Sequence, residues 1–356
     1  MDSPYQKYLT TTISAIQLAT TLSRAVLVTL TTPSPSASPI STLKPDSSPV
    51  TIADLAIQTI LTQVLLTVFP SHHLIAEESS TPLRSNPDLL ATVHSLILTH
   101  ARASPFCWEN GCSALESDPN TILDVLDKAN TPSIDPNVPT FVIDPIDGTA
   151  AFLQGQHYAI NVALLHEGKQ VASVVACPLM TPTLSTTPIS DRDTAPEGSI
   201  CYAVKGYGAW LRSVETVPTD EGTRLPRLDG KGKLVGVTSL RTGSGREDVH
   251  QRVSEEVGAL WPGCDLIGWV PRWIVMARGM GNVVVWVYKK QGRRAKIWDH
   301  AGAVLCFEEV GGVVTDVNGR EIEWKGRLLD GNEGFVAAVG DVHGTLLEKL
   351  REALKQ

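Results

Sequence analysis

Residues 140–149 read Thr-Phe-Val-Ile-Asp-Pro-Ile-Asp-Gly-Thr, an apolar run followed by two closely spaced carboxylates. The β-rich run predicts a short buried strand that delivers Asp144 to the edge of a sheet. Pro145 fixes φ, so we expect the chain to turn there and bring Asp147 close to Asp144. Such a pair would repel without a cation. Mg²⁺ prefers oxygen ligands, and the carbonyl of Ile146 is a further candidate.

Two more acidic residues lie far from this stretch along the chain. Glu77 follows the predicted strand at 73–76, and Asp299 follows Trp298 at the predicted start of a helix. Taken singly, Glu77 could be a solvated strand end and Asp299 a helix N-cap. The Asp-Pro-Ile-Asp-Gly turn could likewise be an ordinary surface turn. The order of the three clusters along the chain is therefore more informative than any one of them.

The order of these clusters resembles the inositol monophosphatase family. A strand-end Glu is followed by an Asp-Pro-Ile-Asp-Gly-Thr turn and then by a downstream Trp-Asp. The segments Pro49–Asp54, Gly206–Ala209 and Gly311-Gly312 also resemble motifs of that family. The resemblance runs from about Pro49 to Asp316. It implies an α+β fold, a layered αβαβα sandwich of the inositol monophosphatase or sugar phosphatase type.

The resemblance also implies roles for individual residues. Two or three Mg²⁺ ions would be bound by Glu77, Asp144, Asp147, Asp299 and the Ile146 carbonyl. Asp54 and Thr149, with Glu77, would orient the attacking water, and Gly148 and Thr149 would contact the phosphate. The implied reaction is in-line attack of a metal-activated water on a phosphate monoester, with inhibition by Li⁺.

Within the family, the long segment Ser79–Val138 and the stretch Lys296–Ala301 resemble the 3'(2'),5'-bisphosphate nucleotidase branch. That branch implies hydrolysis of adenosine 3',5'-bisphosphate to AMP and phosphate, with phosphoadenosine phosphosulfate as a related substrate and a link to sulfate assimilation. The segment Gly268–Trp273 departs from the branch. There, Arg272 would replace a lysine as phosphate partner. Trp269 or Trp273 would stack on the adenine, or else belong to the core.

The departures at Ala150-Ala151 and Gly268–Trp273 leave two rival hypotheses open. One is a phosphatase of the same fold that acts on an inositol phosphate or another small metabolite. The other is a catalytically silent ligand-binding protein. The metal set argues against a silent protein, because all of the implied ligands are present.

Composition limits the classes of partner. The formal net charge is −8, which disfavours a nucleic-acid-binding surface, so we expect a small phosphate ester as the partner. None of the six cysteines forms a Cys-x-x-Cys pair, which favours reduced thiols. We expect no membrane contact and a cytoplasmic location, since Arg24 interrupts the apolar N-terminal stretch and no secretory signal is recognised. Monomer and homodimer remain equally open.

Hydrophobic periodicity predicts the main elements. Helices are expected near residues 53–68, 89–98, 121–128 and 273–278, and from Asp299 to Gly311-Gly312; strands are expected near 73–76, 140–143, 158–165, 171–176, 234–237 and 283–287. The Pro- and Ser-rich stretch 31–48 is predicted to be a loop, either a connector or a lid. We place a domain boundary near residue 230: residues 1–230 would carry most metal ligands, and residues 231–356 would carry Asp299 and the substrate side.

Overall fold

The computed structural model of the chain describes residues 3–31, 41–43, 49–131 and 133–355. The helices are α1 Gln6–Thr31, α2 Ile52–Val68, α3 Thr81–Arg84, α4 Pro87–Ala101, α5 Pro105–Glu109, α6 Thr121–Asp127, α7 Thr149–Phe152, α8 Glu247–Glu256, α9 Trp269–Ala277, α10 Ala301–Glu309 and α11 Val342–Ala353. Short 3-10 turns cover Cys112–Leu115 and Ile297–Asp299. Apart from residues 31 and 41–43, the predicted loop at 31–48 lies outside the described residues.

The strands are β1 Ser41–Leu43, β2 Pro49–Thr51, β3 His73–Ala76, β4 Thr140–Asp147, β5 Ala159–His166, β6 Lys169–Cys177, β7 Ser199–Val204, β8 Gly208–Ser213, β9 Thr223–Arg224, β10 Val235–Thr238, β11 Leu260–Asp265, β12 Val283–Val287, β13 Gly312–Thr315 and β14 Gly334–Val339. Strands β3 to β9 form a seven-stranded sheet in sequence order. The strands β10 to β14 form a five-stranded sheet in the order β11-β10-β12-β14-β13, and β1 pairs with β2.

The helices lie in three layers around these two sheets. Helices α1 and α2 contact one face of the seven-stranded sheet, and α10 contacts its other face. Helices α9 and α10 pack together between the two sheets, while α8 and α11 cover the outer face of the five-stranded sheet. This gives the sequence of layers helix, sheet, helix, sheet, helix, so the predicted αβαβα sandwich is confirmed.

Helix α2 is buried on almost every side, which explains its uniformly apolar sequence. It lies against α1, α4 and β4. Each fully buried Ile or Leu of this helix contributes roughly 1.5–3 kcal/mol of transfer free energy. The helix begins with a capping box, in which Thr51 Oγ1 accepts from the backbone N–H of Asp54 and the Asp54 carboxylate accepts from the N–H of Thr51. The start of α2 is therefore fixed at the place where the sequence predicts a catalytic acid.

Two predicted helix starts were wrong. Helix α9 begins at Trp269 instead of Trp273, because a carboxylate from another part of the chain accepts a backbone N–H in its first turn. Helix α10 begins at Ala301, and Asp299 instead ends the 3-10 turn Ile297–Asp299. Asp299 is thus not the N-cap of α10, since His300 holds that position.

Helix α1 is long and apolar enough to cross a membrane by length and composition alone. Half of its most apolar stretch is buried inside the structure, where Ile16 and Leu22 are fully enclosed in the core shared with α2 and the sheet. Core helices of soluble proteins pass the same test, so the expected lack of membrane contact stays a prediction. The domain boundary near residue 230 also stays a prediction, although residues 225–234 separate the strands of the two sheets.

Candidate active site

Asp144 and Asp147 lie at the end of β4, where its pairing with β5 changes register. Asp144 pairs with Asn161 and Asp147 with Ala159, so three steps along β4 face two steps along β5. In a regular strand, residues three apart point to opposite faces. The extra residue of this β-bulge restores the phase and places both carboxylates on one side. The predicted turn at Pro145 was therefore wrong: β4 continues through the proline, and the bulge brings the acids together.

Asn161 connects this bulge to the third acidic residue. It lies opposite Asp144 in the β4–β5 pair, and its Nδ2 donates to the carbonyl of Trp298 at 2.7 Å. Gly302 permits the approach, because a Cβ there would overlap the Asn161 side-chain oxygen. Trp298 immediately precedes Asp299. The 3-10 turn that carries Asp299 is thereby tied to the seven-stranded sheet by a buried amide that the sequence analysis did not single out.

Three carboxylates meet at this place. Asp144, Asp147 and Asp299 each offer an oxygen, and these oxygens lie within 4.8 Å of one another. Asp144 is 1% exposed and Asp147 is 7% exposed. Burial, reinforced by the nearby Glu77 carboxylate, raises the pKa of Asp147 to about 7, while the Val270 N–H and the Arg272 charge act in the opposite direction. Three oxygen donors whose negative charges are poorly solvated fit a hard divalent cation such as Mg²⁺.

Glu77 lies beside this acidic group at the end of β3, as predicted. Its carboxylate is 3.3 Å from the ammonium of Lys296. The strand end is fixed by Gln58 of α2, whose amide forms two 2.8 Å hydrogen bonds with the backbone N–H and C=O of Glu78. Arg327 donates to the carbonyl of Ala76 at 2.8 Å. The sequence analysis missed Gln58 and Arg327 and gave Lys296 no role, because no local motif marks contacts that span 20, 251 and 219 positions.

The other predicted residues of the catalytic side lie around the end of β4. Thr149 donates its hydroxyl to the Ile146 carbonyl at 3.1 Å. Gly148 has φ +84°, a left-handed conformation that favours glycine. Helix α7, which starts at Thr149, contacts β2, the strand that leads into α2 and Asp54. The roles of these residues stay predictions, but the structure places them on elements that adjoin the carboxylates.

Helix α9 contributes its N-terminus to the site. The backbone N–H of Val270 donates to Asp147 Oδ2 at 2.8 Å. Gly268 precedes the helix, and a Cβ at this position would lie closer than 3.0 Å to the same oxygen. The lack of a side chain at Gly268 is thus what allows the backbone to reach Asp147. The sequence carries a weak sign of this, since glycine stands just before a helix with Pro271 in its first turn.

The predicted substrate residues Trp269 and Arg272 occupy the interior of this region. Trp269 is half-buried, and its ring stacks on Trp273 with centroids 5.7 Å apart. Arg272 is 1% exposed, and its guanidinium lies against both Trp269 and Trp286, at 4.2 and 4.6 Å from their ring centroids. Burial lowers the pKa of Arg272 to about 10, and the carboxylate of Asp147 opposes this. Both side chains have protein partners where the sequence analysis predicted adenine and phosphate.

The sequence of the chain matches a known protein family over most of its length. The model of the inositol monophosphatase family matches residues 10–355. A 3'(2'),5'-bisphosphate nucleotidase of Oryza sativa is 30% identical over 323 residues, covering 88% of this chain and 86% of its own length. A protein of the same name from Emericella nidulans is 28% identical over 320 residues, covering 88% of this chain and 90% of its own.

Solved structures match the fold at lower sequence identity. An IMPase/NADP phosphatase in complex with NADP and Ca²⁺ aligns with a TM-score of 0.57 at 20% identity, covering 98% of this chain and 95% of its own. At this identity the match concerns the fold alone. The layers described above and this alignment agree on the architecture.

Proposed function

Since the chain belongs to the inositol monophosphatase family, we propose that it is a Mg²⁺-dependent phosphomonoesterase that hydrolyses adenosine 3',5'-bisphosphate to AMP and phosphate. The observation that carries this proposal is the meeting of Asp144 and Asp147, from the end of β4, with Asp299, from the 3-10 turn before α10, within 4.8 Å. The nucleotide substrate is supported by the relatives from Oryza sativa and Emericella nidulans, both named 3'(2'),5'-bisphosphate nucleotidase.

The cations would be held by these three carboxylates together with Glu77 and the Ile146 carbonyl. When bound, such cations acidify a coordinated water and stabilise the charge of the leaving oxygen. The chain supplies the positioning. Thr149 Oγ1, held 3.1 Å from the Ile146 carbonyl, can hydrogen-bond an attacking water, with Asp54 and Glu77 as further acceptors for its protons. The reaction consumes one water and releases an alcohol, here the ribose hydroxyl of AMP, and phosphate.

Phosphate binding is assigned to Gly148 and Thr149. Left-handed Gly148 carries the chain from β4 into α7, so the backbone N–H groups of this short turn are close to the carboxylates. A substrate phosphate that joins a cation held there would meet these N–H groups. Phosphoadenosine phosphosulfate, which carries a 3'-phosphate of the same kind, is a related candidate substrate. Inhibition by Li⁺, a place in sulfate assimilation and a cytoplasmic location are further parts of the proposal.

The rival within the same fold is an inositol phosphate phosphatase. One observation favours it: Arg272 is buried. The nucleotidase resemblance assigns this side chain to a substrate phosphate, but its charge is not exposed to solvent. Turnover of adenosine 3',5'-bisphosphate and of inositol monophosphate, measured side by side at saturating Mg²⁺, separates the two. Faster turnover of the bisphosphate is expected. Clear inositol phosphate hydrolysis without bisphosphate hydrolysis would replace the substrate but keep the reaction.

A silent ligand-binding protein would hydrolyse neither ester. The matched control for this test is Asp144→Asn, which keeps the size of the side chain and removes one ligand charge. We expect activity that the variant loses. Equal phosphate release by wild type and Asp144→Asn would show that the observed turnover does not come from this site.

A further inference from the structure

The segment Leu266–Gly268 joins β11 to α9 and passes directly against Asp147. It ends at Gly268, whose backbone lies so close to Asp147 Oδ2 that a Cβ would not fit. Two residues later, Val270 donates its N–H to that same oxygen at 2.8 Å. The orientation of the Asp147 carboxylate therefore depends on where this segment places the first turn of α9.

Two side chains, those of Arg272 and Asp191, bind the backbone of the segment. Arg272 donates from Nε to the Leu266 carbonyl at 2.8 Å and from Nη2 to the Ile267 carbonyl at 2.7 Å. Asp191 accepts the N–H of Ile267 on its two carboxylate oxygens, at 3.2 and 3.0 Å. Both residues are almost fully buried. Two successive peptide groups, 266–267 and 267–268, are thus bonded to the side chains of two buried residues.

Asp191 is in turn connected to the segment that follows α7. Arg241 lies 3.4 Å from the Asp191 carboxylate, and it donates to Gln154 and Gln156 at 2.9 and 2.8 Å. Arg272 itself is held in place by the rings of Trp269 and Trp286. A planar guanidinium suits this role because it can lie against aromatic rings while its edge donates in a fixed fork.

We propose that Arg272 is a positioning residue, which clamps Leu266–Gly268 so that the first turn of α9 orients the carboxylate of Asp147 for a divalent cation. This rests on the proposed function in one respect, the assumption that Asp147 holds such a cation. Arg272 itself contacts neither substrate nor metal. Residues that orient a metal ligand in this way change metal affinity about 10- to 100-fold when they are removed.

Two other roles for Arg272 predict different changes in Mg²⁺ affinity. If its charge alone acted on the site, Arg272→Met would bind Mg²⁺ more tightly, because a cation near the metal would be gone, and Arg272→Lys would bind like wild type. If Arg272 contacted substrate phosphate, both variants would raise KM and leave Mg²⁺ binding without substrate unchanged. The clamp predicts weaker Mg²⁺ binding in both variants, since neither methionine nor lysine has the planar fork.

The chain offers a matched control on the same helix. Arg278 follows the last turn of α9, is also buried, and donates from Nη2 to the carbonyl of Thr183 at 2.7 Å. Arg278→Met removes a buried guanidinium of the same size from the far end of α9. It should lower stability by a comparable amount without affecting Asp147. Thermal unfolding and circular dichroism of each variant show that the fold is kept.

The experiment titrates Mg²⁺ into wild type, Arg272→Lys, Arg272→Met and Arg278→Met by calorimetry, without substrate. We expect about tenfold weaker binding in both Arg272 variants and wild-type affinity in Arg278→Met. Hydrogen exchange in the metal-free proteins gives a second readout: the Val270 amide should exchange at least tenfold faster in the Arg272 variants alone.

The outcomes separate this inference from the proposed function. Wild type that binds no Mg²⁺ contradicts the proposed metal site, and the exchange of the Val270 amide then decides on the clamp by itself. Wild type that binds Mg²⁺, with Arg272 variants that bind it equally or more tightly, overturns the positioning role. Unchanged exchange of the Val270 amide in Arg272→Lys overturns it as well.

Discussion

Replacement of Gly268 by alanine tests how closely α9 must approach the acidic group. The backbone of Gly268 has φ −68° and ψ 142°, which alanine adopts without strain. Any effect of Gly268→Ala therefore comes from the new Cβ. This atom would lie closer than 3.0 Å to Asp147 Oδ2 and 2.9 Å from Cδ of Pro271. A non-bonded carbon and oxygen separate to about 3.3 Å, so Asp147 and the start of α9 must move apart by roughly 0.5–1 Å.

A shift of this size is large for a catalytic site. Misplacement by about 1 Å can cost on the order of 100-fold in rate. We expect kcat/KM for phosphate release to fall about 10- to 100-fold, which corresponds to roughly 1.4–2.7 kcal/mol of barrier. The half-saturating Mg²⁺ concentration should rise in parallel, because the displaced group is an expected ligand.

The matched control is Gly344→Ala in α11, where a Cβ would meet nothing within 4 Å. This change should leave kcat/KM unchanged and raise the free energy of unfolding by about 0.5–1 kcal/mol, because alanine is the better helix residue. If Gly268→Ala folds normally and keeps kcat/KM and Mg²⁺ dependence within twofold of wild type, the close approach of α9 to Asp147 is not needed for activity. The account of the site would then be wrong at this point.

Two further substitutions change the stability of the protein in a direction that follows from the structure. In EDTA, Asp299→Asn should raise the midpoint of thermal unfolding by about 2 °C, because it removes one of three carboxylates that repel one another. The same variant should be stabilised less than wild type by added Mg²⁺. A lower midpoint in EDTA would contradict the carboxylate repulsion. His250 is buried and accepts the Val287 N–H, and burial lowers its pKa to about 4. Its unfolded form gains a proton near pH 6.5, so its contribution to stability is present at pH 7 and about 2 kcal/mol is lost by pH 5. Urea unfolding of His250→Gln should show a pH dependence weaker by this amount, and an unchanged slope would refute it.

Elements with strong local patterns were predictable from the sequence. The apolar run of α2, the strand before Glu77 and the β-branched run of β12 each lie within a residue or two of their predicted ends. Their hydrophobic patterns match the way they are buried between layers. The family could be predicted from short motifs and their order along the chain, which also marked the three acidic clusters. The αβαβα layers followed from the resemblance to that family.

The geometry that joins the clusters could not be predicted in this way. The bulge in β4 depends on its register with β5, and the contact between Asn161 and Trp298 spans 137 positions. The early start of α9 depends on a carboxylate 123 residues away. Secondary-structure propensity depends on neighbouring residues along the chain and therefore does not predict these contacts. The buried position of Arg272 also depends on distant residues, since its guanidinium lies against Trp286 of β12 as well as Trp269 of its own helix.

The most direct test of the central claim is phosphate release from adenosine 3',5'-bisphosphate while chelator-treated protein is titrated with Mg²⁺, with Asp144→Asn measured beside wild type. The account predicts no release without the divalent cation, recovery as Mg²⁺ is added, and little or no recovery in Asp144→Asn. Release that persists in the chelator, or that is equal in Asp144→Asn, would contradict a metal-dependent phosphatase built on Asp144, Asp147 and Asp299.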